Sequence, residues 1–239
     1  MLKKAAKRRQ APRFSTEEAL VRAFLKYADE SPVAARLVGR EFETTNGIAD
    51  IVQFRLSKSW RKRSNLGGIS AQWTFALHSL PYRRIFKTVD FEELCRTSKA
   101  TAAKVLRQYV KEGFCIRTKS GGWSKIRQPR PVVREIATIE AKLSNWQRAL
   151  SQAYRHQTFA AQTWVLLDAA RADAALKNID KFRRLNVGLI VLSRDGPPRK
   201  KFAPLKKRPK SQLHFWNANS ALARRLRLKV GGVVTVNNV

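Results

Sequence analysis

Acidic side chains are scarce in this chain. Across 239 residues, 17 Asp and Glu face 49 Lys and Arg, for a net charge of +32. A balance of that size points to a polyanionic partner, nucleic acid first and an anionic membrane surface second. Cysteine is nearly absent too. Cys95 and Cys115 have neither metal spacing nor the numbers for a disulfide framework, so both are expected to be reduced and buried. That fits a cytoplasmic, nucleoid-associated or nuclear setting and argues against a secreted one. No apolar run approaches the roughly 20 residues of a membrane-spanning helix, so no membrane is expected as partner. The basic start, Met1 to Gln10, has no apolar stretch behind it and is not a secretory signal. His78, His156 and His214 are scattered without ligand spacing, and no Ser/His/Asp or Cys/His arrangement suggests nucleophilic catalysis.

With acids so few, each one inside an apolar strand carries information. Glu140-Ala141-Lys142 ends the β-branched and apolar run from Ile136, and two residues apart on a strand the acid and the lysine share a face. Charge buried there is costly without compensation by a metal, a phosphate or a partner charge. Asp50 stands in a second such run, Gly47 to Val52, after the turn signal Asn46-Gly47. A ribosomal-type or histone-like protein is the bland alternative, and such proteins rarely place acids inside apolar strands. Asp50 as a turn cap, or Glu140 and Lys142 as an exposed ion pair, are the plain alternatives for single residues.

Along the chain, Ser15 with Glu18 reads as a capping box opening a helix that faces Leu20, Ala23, Phe24 and Tyr27 inward. Two strand-like runs follow, over 34–43 and 48–55. A basic, Gly-containing loop at 56–70 changes the character of the chain. Residues 71–127 then read as a helix over 71–86, a short helix opened by Asp90, a helix over 99–112 stopped by Gly113, and two strands around 119–122. That order, with the phrase Glu92-Glu93-Leu94-Cys95 through Gly113-Phe114, resembles a winged helix-turn-helix. Strand 132–143 resumes the sheet, followed by a helix from a capping box at Ser144 to about Ala161, a strand at 163–167, a helix over 169–184 and a strand at 186–192. Residues 196–239 read as a basic tail, with a last short helix possible at 220–228.

With 56–130 removed, the order is helix, three strands, helix, strand, helix, strand. This resembles the restriction-endonuclease-like fold of the PD-(D/E)xK nuclease superfamily, on Asp50, on Glu140-Ala141-Lys142 and on Gln152 in the following helix. The fold class expected is α/β, a mixed-sheet core flanked by helices with an inserted winged-helix domain. The domains expected are a basic arm at 1–14, a core at 15–55 and 131–195, the insert at 71–127, and the tail at 196–239. The long insertion between the second and third core strands departs from the family pattern. The resemblance implies a magnesium- or manganese-dependent endonuclease hydrolysing phosphodiester bonds in duplex DNA. Asp50, Glu140, Lys142 and Gln152 would be catalytic, and Asp50, Glu140, the Ala141 carbonyl and Glu18 would be metal ligands. For the third acid, Glu17, Glu41 and Glu43 compete with Glu18.

The insert would hold DNA through Ser98, Lys99, Thr101, Lys104 and Arg107 on its recognition helix. Lys119, Lys125 and Arg127 on the wing would add contacts to the backbone or the minor groove. The arm, the loop at 58–63 and the cations of 199–210 would add salt-sensitive phosphate affinity. Alternatives are an inactive nuclease-like DNA-binding regulator, a subunit of a larger nucleoprotein complex, and an RNA-binding or RNA-processing protein. A homodimer or a partner protein is compatible with all of them.

Overall fold

The computed structural model describes residues 12–27, 37–44, 47–58 and 61–229, and the side chains of all of these except 37, 61–64 and 227–229. Most of the basic arm, Pro32 and the Thr45-Asn46 turn lie outside those residues.

An α/β core is built on a mixed six-stranded sheet. Its strands are β1 (Leu37–Thr44), β2 (Gly47–Leu56), β6 (Val133–Lys142), β7 (Gln162–Asp168), β8 (Gly188–Leu192) and β9 (Arg199–Phe202), adjacent in that order. β6, β7 and β8 are parallel to one another, and the remaining neighbours pair antiparallel. Strict alternation sorts the faces. Ile139, Ala141, Trp164, Leu166, Ile190 and Leu192 meet helix α1 (Glu17–Leu25) through Leu20, Val21 and Phe24. Val165, Leu167, Leu189 and Val191 on the opposite face meet α5 (Trp146–His156) through Trp146, Ala149, Leu150 and Ala153. Glu140 therefore points toward α5.

Thr16, rather than Ser15, caps α1 by accepting from the Ala19 N–H. Ahead of it, the Phe14 N–H donates to Asp168 at the end of β7, whose other oxygen accepts from Ala170. Buried Asp168 thereby fixes where α1 starts. The expected helix at 169–184 is instead a short 3-10 turn, α6 (Asp173–Lys177) and α7 (Ile179–Leu185).

Between β2 and β6, residues 71–125 form α2 (Ala71–Ser79), β3 (Ile85–Phe86), α3 (Thr88–Cys95), α4 (Lys99–Lys111), β4 (Cys115–Arg117) and β5 (Trp123–Lys125). The last expected turns of the first helix are absent. Pro81 disfavours helical geometry at Leu80 and lacks an N–H of its own, so the chain leaves the helix and reaches β3. The three short strands form their own antiparallel sheet in the order β3-β5-β4.

The C-terminal region is not a tail. β9 extends the main sheet, and α8 (Gln212–Lys229) lies against α2 and the 3-10 segment Arg61–Gly68. Leu222, Ala223 and Leu226 of α8 join Phe42, Val52 and Phe54 of the sheet and Leu77, Phe91 and Tyr109 of the insert in one continuous core. The Ser220 hydroxyl donates to the Ile69 carbonyl at 2.7 Å, and the Asn219 side chain accepts from Val133 N–H. As an edge strand, β9 exposes Arg199, Lys200 and Lys201.

Gly67 makes this seam possible. A Cβ there would lie 2.6 Å from the backbone of Ala223 and Arg224, which cannot rotate away. Gly67→Ala is expected to cost about 3 kcal/mol through overpacking. Thermal melting of the full chain checks it, and an unchanged midpoint would contradict a close α8 contact.

Candidate active site

The antiparallel ladder between β2 and β6 ends at Ile51–Ile139, so the next pair in register is Asp50 and Glu140. Residues opposite one another in such a pair share a face, with Cβ atoms roughly 5 Å apart. Beyond the ladder the strands separate, and Asp50 Oδ2 accepts from the Ala141 N–H at 2.8 Å. A side chain thus replaces a backbone partner at the point where the sheet opens.

Lys142 closes the group. Its Nζ donates to Glu17 Oε2 at 2.8 Å and to the Ala141 carbonyl at 3.0 Å, and lies 3.8 Å from Asp50 Oδ2. Glu17 comes from the first turn of α1, placed there by the Phe14–Asp168 bond. Glu18, the helix acid singled out from the sequence, turns away and pairs with Arg22 and Arg40 at 3.2 and 3.1 Å. Those two guanidiniums hold its carboxyl below the usual range, Arg40 most strongly. One helix position is about 100° of rotation, enough to send neighbouring acids to different surfaces. Glu41 and Glu43 are exposed on β1.

Glu140 is fully buried. Burial, reinforced by the Asp50 carboxylate, pushes its acid up to about 8 against the opposing pull of Lys142 and Arg155. Nδ1 of His156, on α5, lies 3.3 Å from Glu140 Oε1. Burial and then Arg155 push His156 down to about 4, so at neutral pH the contact joins two neutral groups rather than an ion pair. The Gln152 side-chain oxygen is buried and has no hydrogen-bond partner among the described residues. Gln152 stands one turn before His156 on α5. Helix α5 returns antiparallel to β6, and four helical residues advance about as far as two strand residues. That places Gln152 level with the end of β6.

Two carboxylates, a main-chain carbonyl and no nitrogen or sulfur make a donor set suited to a hard divalent cation. The buried Glu140 carboxyl beside Asp50 fits that group, because a buried carboxylate charge calls for a cation or a donor. If a divalent ion binds, Asp50, Glu140 and the Ala141 carbonyl would be the groups to hold it. Among the described residues no three His, Cys, Asp or Glu side chains cluster as a ligand set. His156 and Asp168 escape a reading of the sequence because their roles depend on contacts across the fold, and Glu17, a candidate third acid, is separated from Glu18 only by those contacts. A histidine four residues after Gln152 was the available signal for His156.

Of the eight side chains expected to hold nucleic acid, Lys99, Lys104 and Arg107 are exposed on α4 and Lys119 is exposed on the β4–β5 turn. Ser98 is the N-cap of α4, with its Oγ accepting from Thr101. Lys125 is a correction. It is 1% exposed, and its ammonium donates to the Leu77 and His78 carbonyls at the C-terminus of α2, a favourable place for a cation. Arg127 is exposed, but its guanidinium bonds the Glu112 carbonyl and covers the Phe114 ring, so it closes the end of α4.

No helix among the described residues is long and apolar enough to cross a membrane. No protein-family model, curated protein or solved structure matches this chain.

The pH dependence has a definite sign. The folded state holds the Glu140 proton from the ordinary value of 4.5 up to about 8, so stability falls as pH rises through that range. His156 acts oppositely, adding stability as pH rises from about 4 to 6.5. Above pH 6.5 only the Glu140 slope remains. Without divalent metal, the melting temperature is expected to decline between pH 6.5 and 8, and Glu140→Gln should flatten that decline.

Proposed function

We propose that this protein is a magnesium- or manganese-dependent DNA endonuclease of the restriction-endonuclease-like type. In this reading the segment 71–127 is a winged helix-turn-helix that positions it on duplex DNA. The observation that carries the reading is the meeting of Asp50, Glu140 and Lys142, ninety residues apart in part, at the end of adjacent strands where the sheet opens.

A bound divalent ion would polarise the scissile phosphate and lower the pKa of a coordinated water. Asp50 and the Ala141 carbonyl present oxygens from the open edge, while Glu140 presents two from the buried side. Lys142 can hold a water by hydrogen bonding or stabilise negative charge building on the phosphoryl oxygens. Gln152 can orient water or phosphate from α5. His156 backs Glu140 and keeps solvent from its rear.

Lys104 and Arg107, with Lys111 one turn further, form a basic stripe along the exposed side of α4. The short turn at 118–122 supplies Lys119. Together with the overall charge of +32, this favours phosphate contact. The cations of 199–210 add to it.

Plasmid nicking tests the reading. With magnesium or manganese the wild type should relax supercoiled DNA. Asp50→Ala, Glu140→Ala and Lys142→Ala should each lower the rate by about a hundredfold or more while duplex binding persists. Equal nicking by all four proteins would exclude this site. Duplex binding that survives with no nicking by the wild type would favour a regulator with an inactive core. A Lys104→Ala, Arg107→Ala double variant should weaken duplex binding and reduce the slope of log K against log salt by about 2.

A further inference from the structure

The Lys142 ammonium stands inside the oxygen set described above rather than beside it. Its Nζ donates to Glu17 Oε2 at 2.8 Å and to the Ala141 carbonyl at 3.0 Å, and lies 3.8 Å from Asp50 Oδ2. Two of these three oxygens are also ones a divalent ion would need. We propose that Lys142 is a tethered cation that occupies the metal locus of the metal-free protein, so that divalent binding requires it to move. This rests on the metal-dependent reading above and adds a gate to it.

The argument is one of space and charge. Magnesium binds oxygens at about 2.0–2.1 Å in a tight octahedron. An ammonium hydrogen-bonded to the same carbonyl would sit within about 4 Å of the ion, where two positive charges repel strongly in a partly buried site. One of them must leave. The flexible four-carbon stem of lysine permits that movement. Glu17 gives the displaced group somewhere to stay, because it is half-exposed and lies on the solvent side of the cluster. By pivoting about Glu17, Nζ surrenders Asp50 and the Ala141 carbonyl without losing its strongest partner. Buried Glu140 makes no hydrogen bond to the ammonium, so the exchange at Lys142 does not involve it. Lys142 thus first competes with the metal and then, once displaced, faces the phosphate.

The test needs no DNA. Manganese is titrated into the full-length protein, and free ion is followed by its electron paramagnetic resonance signal, for the wild type, Lys142→Met and Lys142→Gln. Circular dichroism verifies folding of each. Both variants should bind manganese about tenfold or more tightly than the wild type. Their melting temperatures should also rise further on adding metal, because carboxylates left without the ammonium gain more from the ion. Equal or weaker manganese affinity in the folded variants would overturn the proposal, leaving Lys142 a fixed structural ion pair. If the wild type cuts DNA but the variants bind no more tightly, the gate alone fails. Tighter variants with no cleavage by the wild type would retain the gate and defeat the hydrolytic reading. No binding by any of the three would defeat both.

Discussion

Like charges gathered in a small, partly dry space repel, and the end of β6 sets buried Glu140 beside the Asp50 carboxylate, with Glu17 across Lys142. The chain relieves this repulsion in two ways. Lys142 places one ammonium against Glu17 and near Asp50, and burial keeps Glu140 protonated at neutral pH. A second buried carboxylate charge beside Asp50 would be expensive without a compensating cation. The geometry of the cluster is therefore set by proton and cation occupancy as much as by side-chain packing. Ionising Glu140 without a compensating positive charge lowers stability.

Holding that cluster in place takes most of the molecule. Asp168 anchors the approach to α1, which fixes Glu17. The tight return from β6 into α5 places His156 and Gln152. The insert and α8 then complete the core over the other end of β2 and β6, so the segment 71–125 does not have a core wholly its own. Lys125 illustrates the cost of reading such a region by charge alone: the ammonium caps a helix inside the fold.

Local signals disclosed much of this and contacts disclosed the remainder. The alternation of Ile136 to Lys142 announced a strand, and the charged residues at its end announced a site. Asn145 and Thr16 cap helices one residue from where Ser144 and Ser15 suggested, because neighbouring polar residues offer nearly equivalent caps. Glu17 and Glu18 could not be separated from the sequence, since the choice depends on where Arg40 of a distant strand lies. His156 offered only its spacing of one helical turn from Gln152. Strand β9 was hidden because Arg199-Lys200-Lys201-Phe202 has little apolar content, and an edge strand needs little. Helix α8 was shortened in the reading because its apolar residues face two different neighbours rather than a single stripe.

That edge strand has a consequence for assembly. Sheets join most readily where unpaired backbone groups meet a matching strand, and cationic side chains discourage such joining. Two copies meeting through β9 would bring six positive side chains together along one seam. Self-association by sheet continuation is closed on that side, whereas a polyanion lying along the same rim would neutralise it. The border that ends the sheet is thus one that keeps identical molecules apart.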